Sequence, residues 1–248
     1  MKLAVFSDVH ANLEALELFI VHAKSQGVDG YACLGDMIGY GPNPNECLER
    51  IRSLDNLVVI MGNHEWAALH LEESDDFMNT MAHDAIVWTK ENLSSKNLEY
   101  MAELPDKVEI DQFTLVHASA FQPRNWEYLM PARSSAIMLC LLHSSTPYTL
   151  VGHTHRPMMA NESGESFFEI PIAEDVVTFS NDSSGKLLIN PGSIGQPRGN
   201  HRKPSFVIMD SEKNTVSWHC LHEYDPEVTA RNILATGLPP ECAYYLMR

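Results

Sequence analysis

Short apolar runs that stop abruptly at residues able to bind metals dominate the first sixty-five positions. Leu3–Phe6 runs into Ser7-Asp8-Val9-His10, Tyr31–Leu34 into Gly35-Asp36, and Leu57–Met61 into Gly62-Asn63-His64-Glu65. Continuous apolar runs of this length are the pattern of strands buried on both faces. Between the first two, Leu13, Leu16, Phe19, Ile20 and Ala23 recur at helical spacing over Asn12 to Lys24, and Gly27 closes the segment. A second helix is expected over Asn45 to Ser53. Strand, helix, strand, helix, strand predicts a parallel sheet joined by crossovers. From about residue 65 to 105 the pattern is helical, broken by the acidic run Glu72-Glu73-Ser74-Asp75-Asp76, which reads as a solvated loop, and stopped at Pro105.

Strand patterns return at Lys107–Ile110, Phe113–His117 and Tyr148–Val151, with a helix over Ser134–His143 between the last two. The final strand of that group runs into Gly152-His153-Thr154-His155. Beyond it, Ser166–Ile172, Val176–Phe179, Lys186–Ile189, Ser205–Met209 and Val216–His222 are short β runs separated mostly by Gly, Asn, Asp and Ser, the pattern of a hairpin meander. A last helix is expected from Pro226 to about Thr236, ended by Gly237 and the Pro239-Pro240 pair. No linker divides the chain. The expectation is an α/β protein made of two packed mixed β-sheets flanked by helices, with residues 1–248 as a single domain.

The charge narrows the function classes. Seventeen Lys and Arg against thirty-three Asp and Glu give a net charge of −16, which argues against a basic face that tracks duplex nucleic acid. The five cysteines are scattered without zinc-ribbon or redox-motif spacing and read as reduced and buried. No secretory apolar region follows Lys2, and the longest apolar run, Ala136 to Leu142, is too short to span a bilayer. A cytoplasmic protein without membrane contact is expected.

Five strands are each followed by potential metal ligands: Asp8 and His10, Asp36, Asn63 beside His64, His117, and His153 with His155. In α/β sheets ligands gather beyond the carboxyl ends of strands, so these positions should converge. The series Asp-x-His, Gly-Asp, Gly-Asn-His-Glu, lone His and Gly-His-x-His resembles the calcineurin-like metallophosphoesterase family. Asn190-Pro191-Gly192-Ser193 is similar to a turn of its compact bacterial-type phosphodiesterase branch.

That resemblance implies one metal held by Asp8, His10, Asp36 and His155, and a second by Asp36, Asn63, His117 and His153, with Asp36 bridging. It implies hydrolysis of a phosphodiester or nucleotide by attack of a metal-bound hydroxide, with His64 as general acid. Mixed nitrogen and oxygen donors without a thiolate suit two divalent ions among Mn, Fe, Co, Ni and Zn. The family's protein phosphatases carry Asp-Arg three and four residues after the bridging Asp, where this chain has Gly39 and Tyr40. Arg124, Arg156, Arg198 and Arg202 are the basic residues that could replace that clamp; the candidate substrate contacts are Tyr40, Arg124, Arg198 and Asn12, the last more readily explained as a helix cap. Trp126 and Tyr128 are either an aromatic wall or core. The alternatives are a phosphomonoesterase or protein phosphatase and, from another class, a non-catalytic protein-binding scaffold of the same fold.

Overall fold

The computed structural model describes residues 1–76, 78–162, 167–170, 175–180, 185–199 and 202–248. The first half follows the alternation of its apolar runs: β1 (Lys2–Phe6), α1 (Leu13–Ser25), β2 (Gly30–Cys33), α2 (Pro44–Arg52) and β3 (Leu57–Val59). The Asn12 side chain accepts from the Ala15 amide and starts α1. The helical stretch resolves into α3 (Asn63–Leu69), α4 (Thr80–Asn92) and α5 (Ser95–Ala102). Between α3 and α4 the acidic run forms a 3₁₀ helix, Leu71–Asp76, rather than an irregular loop.

The remaining elements are β4 (Lys107–Ile110), β5 (Phe113–Val116), α6 (Ser134–Leu142), β6 (Tyr148–Leu150), β7 (Pro157–Asn161), β8 (Phe167–Glu169), β9 (Val176–Ser180), β10 (Leu187–Pro191), β11 (Ser205–Asp210), β12 (Thr215–Cys220), α7 (Pro226–Leu234) and α8 (Pro240–Leu246). Residues 166, 171 and 172 of the expected strand Ser166–Ile172 lie outside the described residues, as does His201.

Two six-stranded sheets result, ordered β3-β2-β1-β11-β12-β9 and β4-β5-β6-β10-β7-β8. The late strands are not a simple meander. β8 and β9 end on the edges of different sheets, and β10 inserts between β6 and β7, parallel to β6. Side-chain alternation explains why both sheets are needed. In β1, Leu3 and Val5 face the second sheet while Ala4 and Phe6 pack under α1 and α2; in β11, Val207 and Met209 face inward while Phe206 and Ile208 face the same helices. Leu150, Ile189 and the fully buried Trp218 complete the layer between the sheets, and Leu188 and Val151 meet α6 on the far side. This is the expected single α/β domain of two mixed sheets flanked by helices.

An additional helix, α8, follows the proline pair. Pro240 occupies its first turn, where a missing N–H costs nothing, so the pair starts a helix as well as ending one. With α4 and α7 it encloses Tyr40 in a separate apolar cluster. All five cysteines are free and buried. Among the described residues no helix is long and apolar enough to cross a membrane.

Candidate active site

Strands β1, β2 and β3 run parallel in one sheet, and β5, β6 and β10 run parallel in the other. The loops that leave their carboxyl ends meet at one edge of the two-sheet sandwich. There Asp8, His10, Asp36 and His155 place donor atoms within 4.8 Å of one another, as do Asp36, His117 and His153. Asp36 belongs to both groups. Its Oδ1 accepts from the His64 amide at 2.9 Å, while its Oδ2 lies 3.2 Å from His117 Nε2 and 3.8 Å from His10 Nε2. Asn63 Oδ1 lies 3.1 Å from the same His117 nitrogen.

Each imidazole in the cluster is oriented by a backbone carbonyl on its outer side. His10 Nδ1 meets Ile38 O (3.1 Å), His117 Nδ1 meets Leu34 O (2.6 Å), His155 Nδ1 meets Gln196 O (2.6 Å), and His153 Nε2 meets Trp126 O (2.9 Å). A carbonyl accepts from the protonated nitrogen, so the other nitrogen turns a lone pair inward, the second-sphere arrangement of metal-ligating histidines. Two further contacts fit a cation and not a bare protein interior. His10 Nε2 and His155 Nε2 face each other at 3.1 Å, and the buried Asp8 Oδ1 makes no hydrogen bond. The donors are all nitrogen or oxygen, which suits borderline divalent metals.

The loops are strained to achieve this. Asp8, His10, Asp36, His153 and His155 all have positive φ, between 48° and 64°. Such a conformation costs a non-glycine residue of the order of 1 kcal/mol or more. Cross-loop hydrogen bonds offset the cost: Asp8 N to Gly35 O, His10 N to Asp36 O, Gly195 N to Asp8 O and Arg198 N to His155 O, all between 2.9 and 3.2 Å. Asn190 adds bonds from its amide to Gly152 O (2.6 Å) and Thr154 Oγ1 (3.0 Å), and Ser193 Oγ donates to Asp8 O at 2.8 Å. The Asn-Pro-Gly-Ser turn thus clamps the loops of both sheets.

Charge is as concentrated as the strain. Burial raises the Asp8 carboxyl, and nearby Asp36 adds to that while His117 opposes it. At Asp36, burial also pushes upward, but His117, His64 and His10 together outweigh it and hold the carboxyl well below its usual range. Burial opposes protonation of His117, yet the charge and hydrogen bond of Asp36, then Asp8, lift it to about 9. Burial, followed by cationic neighbours, lowers His10, His155 and His153, the last to about 3. The pocket calls for positive charge between the two carboxylates, which the His117 proton supplies when no cation is bound, and it keeps His10, His153 and His155 neutral and able to donate electron pairs.

His64 differs from these rings. No backbone carbonyl holds it: Nδ1 is buried without a partner, and Nε2 lies 3.9 Å from Asp36 Oδ2. Burial lowers its pKa, against the opposing pull of Asp36. A Cβ at Gly39, whose φ is +84°, would lie 2.2 Å from His64 Nδ1, so this ring orientation requires a glycine there.

The sequence-predicted contacts separate into two pairs. Tyr40 and Arg198 line an open cleft over the cluster, together with His64, Asn125, Trp126, Tyr128 and the start of α4. Trp126 is buried, and Tyr128, 43% exposed, lies over His153 with ring centroids 4.0 Å apart, so together they form the aromatic wall. Arg124 is a correction: its guanidinium turns outward to Asp106, 2.9 Å from Oδ2, and is mostly exposed. Asn12 is also spent on structure, capping α1 and donating to Gly195 O and Tyr224 Oη.

Glu65 is the residue that motif spacing did not explain. It is fully buried and accepts from the amides of Asp36, Met37, Ile38 and Gly62 at 2.7–3.2 Å, fixing the loop that carries Asp36. Its place at the third position of α3 after Gly62 is the available sequence signal, that of a capping-box acid.

Fold and donor set together define an α/β domain with a buried His/Asp metal-binding cluster. The calcineurin-like phosphoesterase superfamily domain matches residues 1–214, and the chain belongs to that superfamily. An uncharacterised protein of Methanocaldococcus jannaschii is 36% identical over 241 residues, covering 96% of this chain and 93% of that one. The crystal structure of a metallophosphoesterase from Sphaerobacter thermophilus superposes with a TM-score of 0.86 at 34% identity, covering 100% of this chain and 98% of that one. A hypothetical protein from Pyrococcus horikoshii shares the fold at 21% identity, with a TM-score of 0.80 and coverage of 99% and 97%.

Proposed function

We propose that the protein is a dinuclear metal-dependent phosphoesterase acting on phosphodiesters or nucleotides. The observation that carries this reading is the convergence of six His and Asp donors, with Asp36 shared between two groups and Asn63 Oδ1 beside the second. Asp8, His10, Asp36 and His155 would hold one divalent ion, and Asp36, Asn63, His117 and His153 the other. When bound, such a pair polarises a phosphoryl oxygen and provides a hydroxide nucleophile at neutral pH. The chain's own residues do the rest. The strained, cross-braced loops hold the donors in place before substrate arrives, and the cleft walls orient the ester for in-line displacement. With Nδ1 wedged against Gly39, His64 Nε2 is the nitrogen that faces the cluster, and from it a proton passes to the departing oxygen.

The preference for diesters rests on the loop after β2. Steric contact with His64 keeps position 39 free of a side chain, and the Tyr40 ring packs against His10 and His64 with centroids 4.8 Å apart in each case. The Asp of an Asp-Arg pair has no room at position 39 with His64 in this orientation, and position 40 presents a phenol in place of a guanidinium. Arg198 in the cleft favours a second reading, a phosphomonoesterase. Turnover of bis(p-nitrophenyl) phosphate and p-nitrophenyl phosphate with the same restored metal decides between them. Higher kcat/KM on the diester supports the proposal, and a clear monoester preference replaces it with the second reading.

A further inference from the structure

The loop after β10 brings a cation, Arg198, to the cleft, and among the described residues no carboxylate pairs with it. Arg50, Arg124, Arg133 and Arg231 are each within 4 Å of an acidic side chain, paired with Glu17, Asp106, Glu127 and Glu227. Arg198 has no such partner among the described residues, although the chain holds nearly two acids for every base. Its guanidinium is largely withdrawn from solvent and held by neutral groups. Nη2 donates to Gln196 Oε1 at 3.1 Å, and the Tyr40 and Tyr128 side chains line the same cleft beside it. Its backbone amide donates to His155 O at 3.2 Å, so the side chain is tied to the loop that carries cluster donors. A guanidinium withdrawn from water without a counter-charge is costly unless a ligand supplies the anion, and its fork of donors matches phosphoryl oxygens.

We propose that Arg198, aimed by Gln196 and set beside Tyr40 and Tyr128, is the phosphate-recognition residue of the cleft and takes a non-bridging oxygen of the substrate's phosphoryl group. This rests on the phosphoester reading of the site and adds to it the residue that sets affinity for the anion. Arg198 binds the phosphoryl group in both ground and transition states, so its loss raises KM more than it lowers kcat. Arg124, two residues before the aromatic wall and paired outward, takes no part.

The test is calorimetric titration of the metal-loaded protein with inorganic phosphate, comparing wild type with Arg198→Gln, Arg198→Lys and Arg124→Gln, with metal content measured in each. Arg198→Gln should weaken phosphate binding by roughly 10- to 100-fold, the size of a charged hydrogen bond. Arg198→Lys, which keeps the charge but not the fork, should lose less; Arg124→Gln should match wild type, and all should retain metal. Phosphate affinity of Arg198→Gln within twofold of wild type overturns the assignment, as does an equal loss in Arg124→Gln. Should Arg198→Gln fail to fold, Arg198→Lys decides: wild-type affinity refutes the fork, and a several-fold loss supports it. Arg198-dependent phosphate binding without hydrolysis of any ester would sink the hydrolase reading and leave this one standing. Hydrolysis with unchanged phosphate affinity in the variants would do the reverse.

Discussion

The two sheets contribute unlike halves to the cluster. The sheet built on β1 supplies both carboxylates, Asp8 and Asp36, with His10, Asn63 and His64, whereas the sheet built on β5 and β6 supplies three imidazoles, His117, His153 and His155. The first half carries the negative charge and the bridging position; the second carries imidazole nitrogens only. Neither half alone gathers four donors for each ion, so the centre exists only once the sheets have packed through Val5, Ile189, Val207 and Trp218. Metal binding should therefore add to folding stability, because the unpacked chain offers no equivalent site.

Breaking the bridge should have the largest effect. Asp36→Asn removes the charge shared by both groups and should cut turnover by about 10⁴-fold or more, the several kcal/mol that metal chemistry supplies. His10→Ala, which touches one group only, should lose less. An Asp36→Asn protein as active as His10→Ala would show that the carboxylate is not shared.

Next is His64, the imidazole of the described cluster that no backbone carbonyl holds. His64→Ala should leave metal content near wild type and lower turnover by about 10²- to 10⁴-fold. The deficit should shrink for esters with acidic leaving groups, which need no proton. An equal deficit for good and poor leaving groups assigns His64 to positioning.

Glu65 supports the first sheet's half of the cluster by gathering the amides of the Asp36 loop, and Asn190 does so for the second half through Gly152 and Thr154. Glu65→Ala strands four buried amide donors and should cost about 3 kcal/mol or more in urea unfolding. Glu65→Gln, which keeps an acceptor oxygen, should cost less. No change in either variant would mean that the Asp36 loop holds itself.

The smallest effect lies away from the cluster. His219 stacks on Phe206 at 5.0 Å, and burial, then nearby His22, pulls it down to about 4 from an ordinary 6.5. The unfolded chain then binds this proton more tightly, so stability falls as pH drops from about 6.5 to 4 and levels off below. After allowance for its partial exposure, the loss is about 1–2 kcal/mol. His219→Gln should flatten that part of the profile relative to wild type, and identical profiles would show that His219 contributes nothing to it.

The unlike halves also show what the amino-acid pattern could reveal. Positions of the donors were legible because each apolar run ends at its ligand, and strand direction then brings the ends together. The placement of β9 and β10 was not, because β9 pairs with β12 and β10 with β6 across more than thirty residues, and pairing at that distance leaves no local trace. The proline pair looked like a stop because the first-turn tolerance of Pro240 shows only once Glu241 to Leu246 are seen to be helical. Arg124 and Arg198 were indistinguishable as residues, and only packing shows one tied to Asp106 and the other facing the cleft.

Whether the seven donors form one two-ion centre around Asp36 is decided by titrating metal-free protein with Mn²⁺ or Zn²⁺ and measuring bound metal by elemental analysis after desalting. Two equivalents are expected in wild type, two in His64→Ala and fewer than two in Asp36→Asn, with activity returning as the second equivalent binds. A single equivalent in wild type, or two tightly held in Asp36→Asn, would contradict a centre shared through Asp36.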